Sequence, residues 1–307
     1  MTDSSFNEGF RRHVLRNISD MINKDEMSYN MLALSNIRLV SPTPGPMEQY
    51  EADAGCPLDQ GVCQEMNRLI LTRATSFYPQ DPHPLVFSEA DVQGIHQALA
   101  NLNNRAQLSL VSARSQLKHF ASSLPPSKAV AVHHLAHMLQ KLPGYETFRA
   151  TSLGMLYDCF FEPIYKRNYD QLDIVWNDLT TVYHEELPVS YGVARAMHLV
   201  DEYGDYIEQD PVPHASQDML QLGILSKSLI ETQGMSAAMT FYMNDFDALF
   251  FVTEMHGGSF IMYQFAKLRF PRSTVSLSNF VSADTLNALA KIHFVFSRYC
   301  ATQPTTK

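Results

Sequence analysis

The sequence predicts an all-α protein, a multi-helix bundle of about ten helices with proline-rich connections. Three observations lead there. Prolines cluster at SPTPGP (41–46), YPQDPHP (78–84), LPP (124–126) and DPVPH (210–214), and proline interrupts regular backbone hydrogen bonding. Between the clusters apolar residues recur at the helical period of about 3.6, and no long stretch alternates as a half-buried strand does. Capping residues stand where blocks begin: Ser88 with Asp91, Ser127 after Pro126, and Ser282 with Asp284.

Taken in order, the first helix is expected over 5–24, where Phe6, Phe10, Val14, Leu15 and Ile18 make an amphipathic stripe. A second follows the first proline region at 60–76, a third starts at the Ser88 cap and runs over 88–122, and a fourth follows LPP at 127–142. Helices over 146–167, 170–187 and 190–207 fill the stretch before DPVPH, and 215–233 follows it. Segments 235–256 and 258–269 are separated at a glycine pair, and 282–300 opens on Ser282. Short strand-like pieces, Ile37 to Val40 and Thr274 to Leu277, are expected only as decoration on this helical body. Residues 1–59 are read as an N-terminal helix plus a proline-rich arm that engages neighbours, and 60–307 as the main helical domain.

Hydrophobic residues make up 45% of the 307 and charged residues only 18%, below the usual share of about a quarter. A surface so poor in charge suits a subunit with neighbours. No apolar run approaches the roughly 20 residues that span a bilayer, and MTDSSFNEGFRRHVL lacks the apolar stretch of a secretory signal. A soluble, intracellular protein without membrane contact is therefore expected. Cys56, Cys63, Cys159 and Cys300 form no CxxC pair, which fits free, mostly buried thiols.

Histidines draw attention in AVHHLAHML (131–139), because His133 and His137 are one helical turn apart, a spacing that suits a metal pair. On a helical wheel Ala131, Val132, Leu135, Met138, Leu139 and Leu142 share the stripe that must meet the core. His133 and His137 fall near the opposite pole with Gln140 and Lys141, and His134 lies on the flank. The pattern reads as a polar or subunit-facing side, with a surface metal pair as the alternative. His293, in line with Leu286, Leu289 and Phe296, reads as a core histidine.

MSAAMTFYMNDFDALFFVTEMHGG (235–258) is apolar nearly all round a helical wheel, which places it at the centre of a bundle. Asn244, Asp247 and Glu254 then form a narrow polar strip, with the two carboxylates seven residues apart on one face. Buried carboxylates must be paired, protonated or metal-bound, so Asp247 and Glu254 are candidate ligands; an internal salt bridge or a rim position is the plainer alternative.

TEMHGGSF (253–260) is similar to the acidic-x-x-Gly-Gly segment of heme oxygenases, whose glycine pair lets a distal helix bend over the porphyrin. The resemblance covers about eight residues. It implies Gly257 and Gly258 as the bend, Glu254 in place of that family's aspartate, and His134 or His137 as the proximal ligand. Gly257 and Gly258 also fit a plain helix end. No GxGxxG, Walker loop, GxSxG, HExxH or ExxH pattern occurs, nor an HxE with a following CxxC.

Charge is unevenly laid out. Counting Lys and Arg against Asp and Glu, residues 41–100 carry 2 against 8, residues 101–150 carry 6 against 1, and residues 151–220 carry 3 against 13. Non-specific nucleic-acid binding is not expected as a main role for so acidic a chain. Complementary blocks favour docking between subunits. The leading expectation is a non-enzymatic, self-assembling structural subunit of the coat or capsid type, a homo-oligomer joined through acidic and basic faces, located in a virion if it is a coat, and without a cofactor. A different class, a helical-bundle oxidoreductase binding heme or a di-iron centre between 127–142 and 235–258, is the alternative, and a monomeric interaction domain the third.

Overall fold

A computed structural model describes residues 35–40, 86–100, 107–142, 173–176, 189–195, 212–233, 235–244, 246–256 and 258–300. Six strands form one sheet: β1 (Ile37–Val40), β2 (Asp173–Trp176), β3 (Val189–Arg195), β4 (Ala237–Asn244), β5 (Asp247–His256) and β6 (Ser259–Arg269). Helices α1 (Glu89–Leu99), α2 (Gln107–Ser123) and α3 (Pro126–Lys141) lie between β1 and β2 in the chain, and α4 (Val212–Gln233) between β3 and β4. A short α5 (Leu277–Phe280) and α6 (Ala283–Val295) follow, with a π-helical turn at Phe296–Cys300.

The chain is therefore mixed α/β, which overturns the all-α bundle. The expected helices at 235–256 and 258–269 are the strands β4, β5 and β6, an antiparallel trio at the middle of the sheet. Strands β2 and β3 fall where helices were expected over 170–187 and 190–207. Ile37–Val40 is a strand of this sheet rather than decoration, while Thr274 to Leu277 leads into α5. The block at 88–122 is two helices, α1 and α2. Expected helices at 5–24, 60–76 and 146–167 lie outside the described residues, as does most of the 1–59 arm apart from β1.

Strand order is β1-β6-β5-β4-β3-β2. β1 runs parallel to β6, and β2, β3 and β4 run parallel to one another, so β5 alone opposes the other five. Side chains alternate across the sheet. Met239, Phe241, Phe250, Val252 and Ile261 join the core under α1, α2, α3 and α6. Ala238, Tyr242, Phe251, Phe260 and Met262 face the other way and pack with Ile37 and with Leu222, Leu229 and Ile230 of α4. Both faces are covered, so strands buried on two sides read as continuous apolar runs. The β5–β6 register slips at Phe250 and Phe251, where Ala266 and then Gln264 are the partners. Phe265 is the extra residue of this bulge, and it and Ala266 enter the same core.

Helix starts follow the sequence signals. Ser88 and Asp91 form a reciprocal capping box on α1, and Ser282 Oγ accepts from the Thr285 N–H on α6. α3 differs from expectation: Pro125 is its N-cap, without a side-chain hydrogen bond, and Pro126 opens the helix. Its missing N–H costs nothing in the first turn. The Phe87 N–H donates to Asn287 Oδ1 (2.8 Å), tying the entry of α1 to α6.

Candidate functional site

The residues with most chemistry gather in the helical layer. On α3, Ala131, Val132, Leu135, Met138 and Leu139 are buried as the wheel predicts, as is Leu142 at its end, and Ala136 is buried beside them. His134 is buried with them at 0% exposure, because α2 and α6 pack against the helix and cover its flank as well as its apolar stripe. His133 is exposed and His137 half-buried. Three histidines within one turn thus have three environments.

Burial, then the neighbouring His293, His137 and His133, hold the His134 imidazole well below its usual value, so it is neutral at physiological pH. Burial also pushes His293 of α6 down. Burial followed by the charge of Lys118 lowers His133. Lys291, one turn of α6 from Asn287, is pushed down by burial to about 8. The core assignment of His293 agrees with its mostly buried position, and what sequence reasoning missed is that His134 shares that seam. The signal was its place beside the apolar stripe of a helix packed from two sides.

At the start of this layer, Lys128 Nζ donates to Asp91 Oδ2 (2.9 Å) and lies over the Phe87 ring, 5.3 Å from its centroid. Burial works against the Asp91 carboxylate, but Lys128 and Ser88 outweigh it and hold its pKa below the usual value. α2 and α3 contain Arg114, Lys118, Lys128 and Lys141 and no Asp or Glu. Lys118, His119, His133 and Lys141 are exposed, giving the pair a positive outer side.

The carboxylates read as a polar strip do not share a site. Seven residues along a helix return to one face about 10 Å away, whereas seven along a strand reach the opposite face about 23 Å away. Asp247 opens β5, half exposed, with its Oδ2 4.0 Å from Arg269 Nη1. Glu254 lies near the other end of β5, opposite Ala237 and Ile261. The expected buried strip is replaced by an open ion pair and a half-buried residue far from it.

Gly257 lies outside the described residues, and Gly258, at φ 87°, closes the turn between β5 and β6. The segment that the heme oxygenase resemblance made a bent distal helix is a hairpin. Asn36, itself at φ 61°, braces it: Nδ2 donates to the Gly258 carbonyl (2.7 Å), and the Asn36 carbonyl accepts from the Phe260 N–H (2.9 Å). His134 and His137 sit on the helical side of the sheet and Gly258 at the tip of a strand pair, where the resemblance expected the bend of a helix. Among the described residues no three His, Cys, Asp or Glu side chains are placed to hold a metal ion. No described helix is long and apolar enough to cross a membrane.

Comparison with protein-family models, curated proteins and solved structures gives no match. The site stands on its own geometry. That geometry offers a positive helical pair over a layer with neutral buried histidines. Under α4, on the other face, Thr240 and Thr253 are fully buried with no hydrogen-bond partner for either hydroxyl among the described residues.

Proposed function

We propose that this protein works by association, as a self-assembling structural subunit of the coat or shell type whose copies dock through complementary acidic and basic faces. The observation that carries this reading is the separation of charge. α2 and α3 are free of acidic residues, while residues 151–220 carry 3 basic against 13 acidic. An acid-free face on a chain of net charge -9 attracts the acidic block of a second copy more readily than it attracts its own like. Val111 stands 65% exposed on α2 beside this positive side, an apolar contact that charge steering brings into register.

Salt is the test. The screening length falls from about 10 Å at 0.1 M to about 3 Å at 1 M, so contacts between these faces weaken as salt rises. Light scattering over a salt series is expected to show an oligomer at low salt that dissociates on screening, and Lys118→Glu with Lys141→Glu is expected to dissociate it without added salt. A strict monomer at tens of micromolar in low salt refutes the reading.

A further inference from the structure

The histidine seam carries a consequence that does not depend on assembly. His134 sits at 0% exposure among Leu135, Met138 and Leu139, inside the core that joins α3 to α6 and the sheet. An imidazolium at such a site loses its hydration, and charging it costs several kcal/mol. The ionisable groups around it are mostly positive or become so. α3 itself supplies His133 and His137, with Lys128 and Lys141 toward its ends; α2 supplies Arg114, Lys118 and His119; α6 supplies His293 and Lys291, and its one carboxylate, Asp284, stands in the first turn. On the helical face of the sheet the ionisable residues of β4 to β6 are Tyr263 and, toward the hairpin, Glu254 and His256, and from α1 the Asp91 carboxylate is paired with Lys128 of α3. Among described groups, the charges that lower His134 are those of His293, His137 and His133, each of which opposes a second positive charge on the seam.

We propose that this seam is an acid-sensitive latch: as pH falls below neutrality, protonation of His134 parts α3 from α6 and opens the helical layer while β4, β5 and β6 stay paired. The trio stays because two consecutive hairpins join its strands, its outer edges pair with β1 and β3, and its other face is packed on α4. The sign follows from linkage. A histidine whose folded pKa is depressed costs nothing above its unfolded pKa of about 6.5, and stability is lost as pH drops through the interval between the unfolded and folded values.

Hydrogen exchange on the full chain, corrected for the intrinsic effect of pH, tests this between pH 7.5 and 5. Peptides from 126–141 and 283–295 are expected to open about tenfold more for each pH unit below roughly 6.5, as one linked proton requires, with 237–269 unchanged. His134→Met, apolar and adaptable in shape, is expected to flatten that dependence, and His293→Gln to reduce it. Equal protection of α3 and α6 at both pH values overturns the proposal, as does an unchanged dependence in His134→Met. Should His134→Met fail to fold at pH 7.5, imidazole resonances of the wild type decide. A His134 that stays neutral until the α3 and α6 signals are lost supports the latch; one that titrates near the ordinary value with the layer intact refutes it.

Discussion

At the scale of single residues, this fold places polar groups in cores on both faces of its sheet, and their surroundings differ. Ser226 on α4 is buried and satisfied, its Oγ donating to the Gly223 carbonyl (2.9 Å). Thr240 and Thr253, on the strands beneath, are buried as deeply, yet their hydroxyls have no partner among the described residues. Desolvating a hydroxyl without a new hydrogen bond is a net cost, and valine keeps the branched shape that a strand favours. Thr240→Val and Thr253→Val are therefore expected to leave urea unfolding unchanged or to raise stability by about 1 kcal/mol each. A loss of similar size in either variant means that its hydroxyl is bonded after all. Asp91 and Lys128 are the contrasting case, since each side chain is less than a fifth exposed and the two meet directly. There the polar groups answer each other, and the capping box of α1 depends on one of them.

Elements differ in how far the sequence discloses them. The starts of α1 and α6 were legible because a cap marks each, while their ends at Leu99 and Val295 were not, the sequence being read as single helices over 88–122 and 282–300. The apolar stripe of α3 was legible from the helical period, although its Pro125 cap and the burial of His134 and Ala136 were not. Strands β4 to β6 were not, because apolar residues on both faces erase the alternation by which a strand is recognised, and a run such as FYMNDFDALFFVTEM is apolar all round on a helical wheel too. The overlooked signal was composition: Phe, Tyr, Thr and Val crowd this region, and the Gly-Gly pair at 257–258 between apolar runs reads as a two-residue hairpin loop. That error carried the site with it, because placing Asp247 and Glu254 on one face needs a helix. Phe250 separates the readings experimentally. In the central strand it meets Phe241 and Phe265, with ring centroids at 6.0 and 6.4 Å, so Phe250→Ala is expected to cost about 3–5 kcal/mol in chemical unfolding. A loss below about 1 kcal/mol contradicts this packing.

At the scale of the whole molecule, one edge of the described sheet is held by residues far apart in sequence. β1 contributes the buried Ile37 to the α4 core, and Lys227 of α4 holds its approach by donating to the Ser35 carbonyl (2.9 Å) while lying over the Phe260 ring. Removing residues 1–40 therefore takes a strand out of the sheet instead of trimming an independent arm. The truncated chain is expected to lose at least about 2 kcal/mol, the low end for deleting one buried aliphatic side chain, with the change read from its urea midpoint. An unchanged midpoint shows β1 to be dispensable. The charge separation belongs to this scale as well, being a property of blocks tens of residues long and invisible at any one position.

The brace at Asn36 also sets an order of events. Its bond to Gly258 spans 222 residues, and contacts so distant in sequence are slow to form because a long loop must close before they are gained. During synthesis at about 5–20 residues per second, roughly 10 to 40 s pass between the emergence of β1 and that of β6. Throughout that interval the apolar IRLV has no β6 to pair with, so the earliest described strand is among the last to be seated. A chain held longer in this half-built state is expected to aggregate more readily, since an unpaired apolar strand offers its edge to other chains.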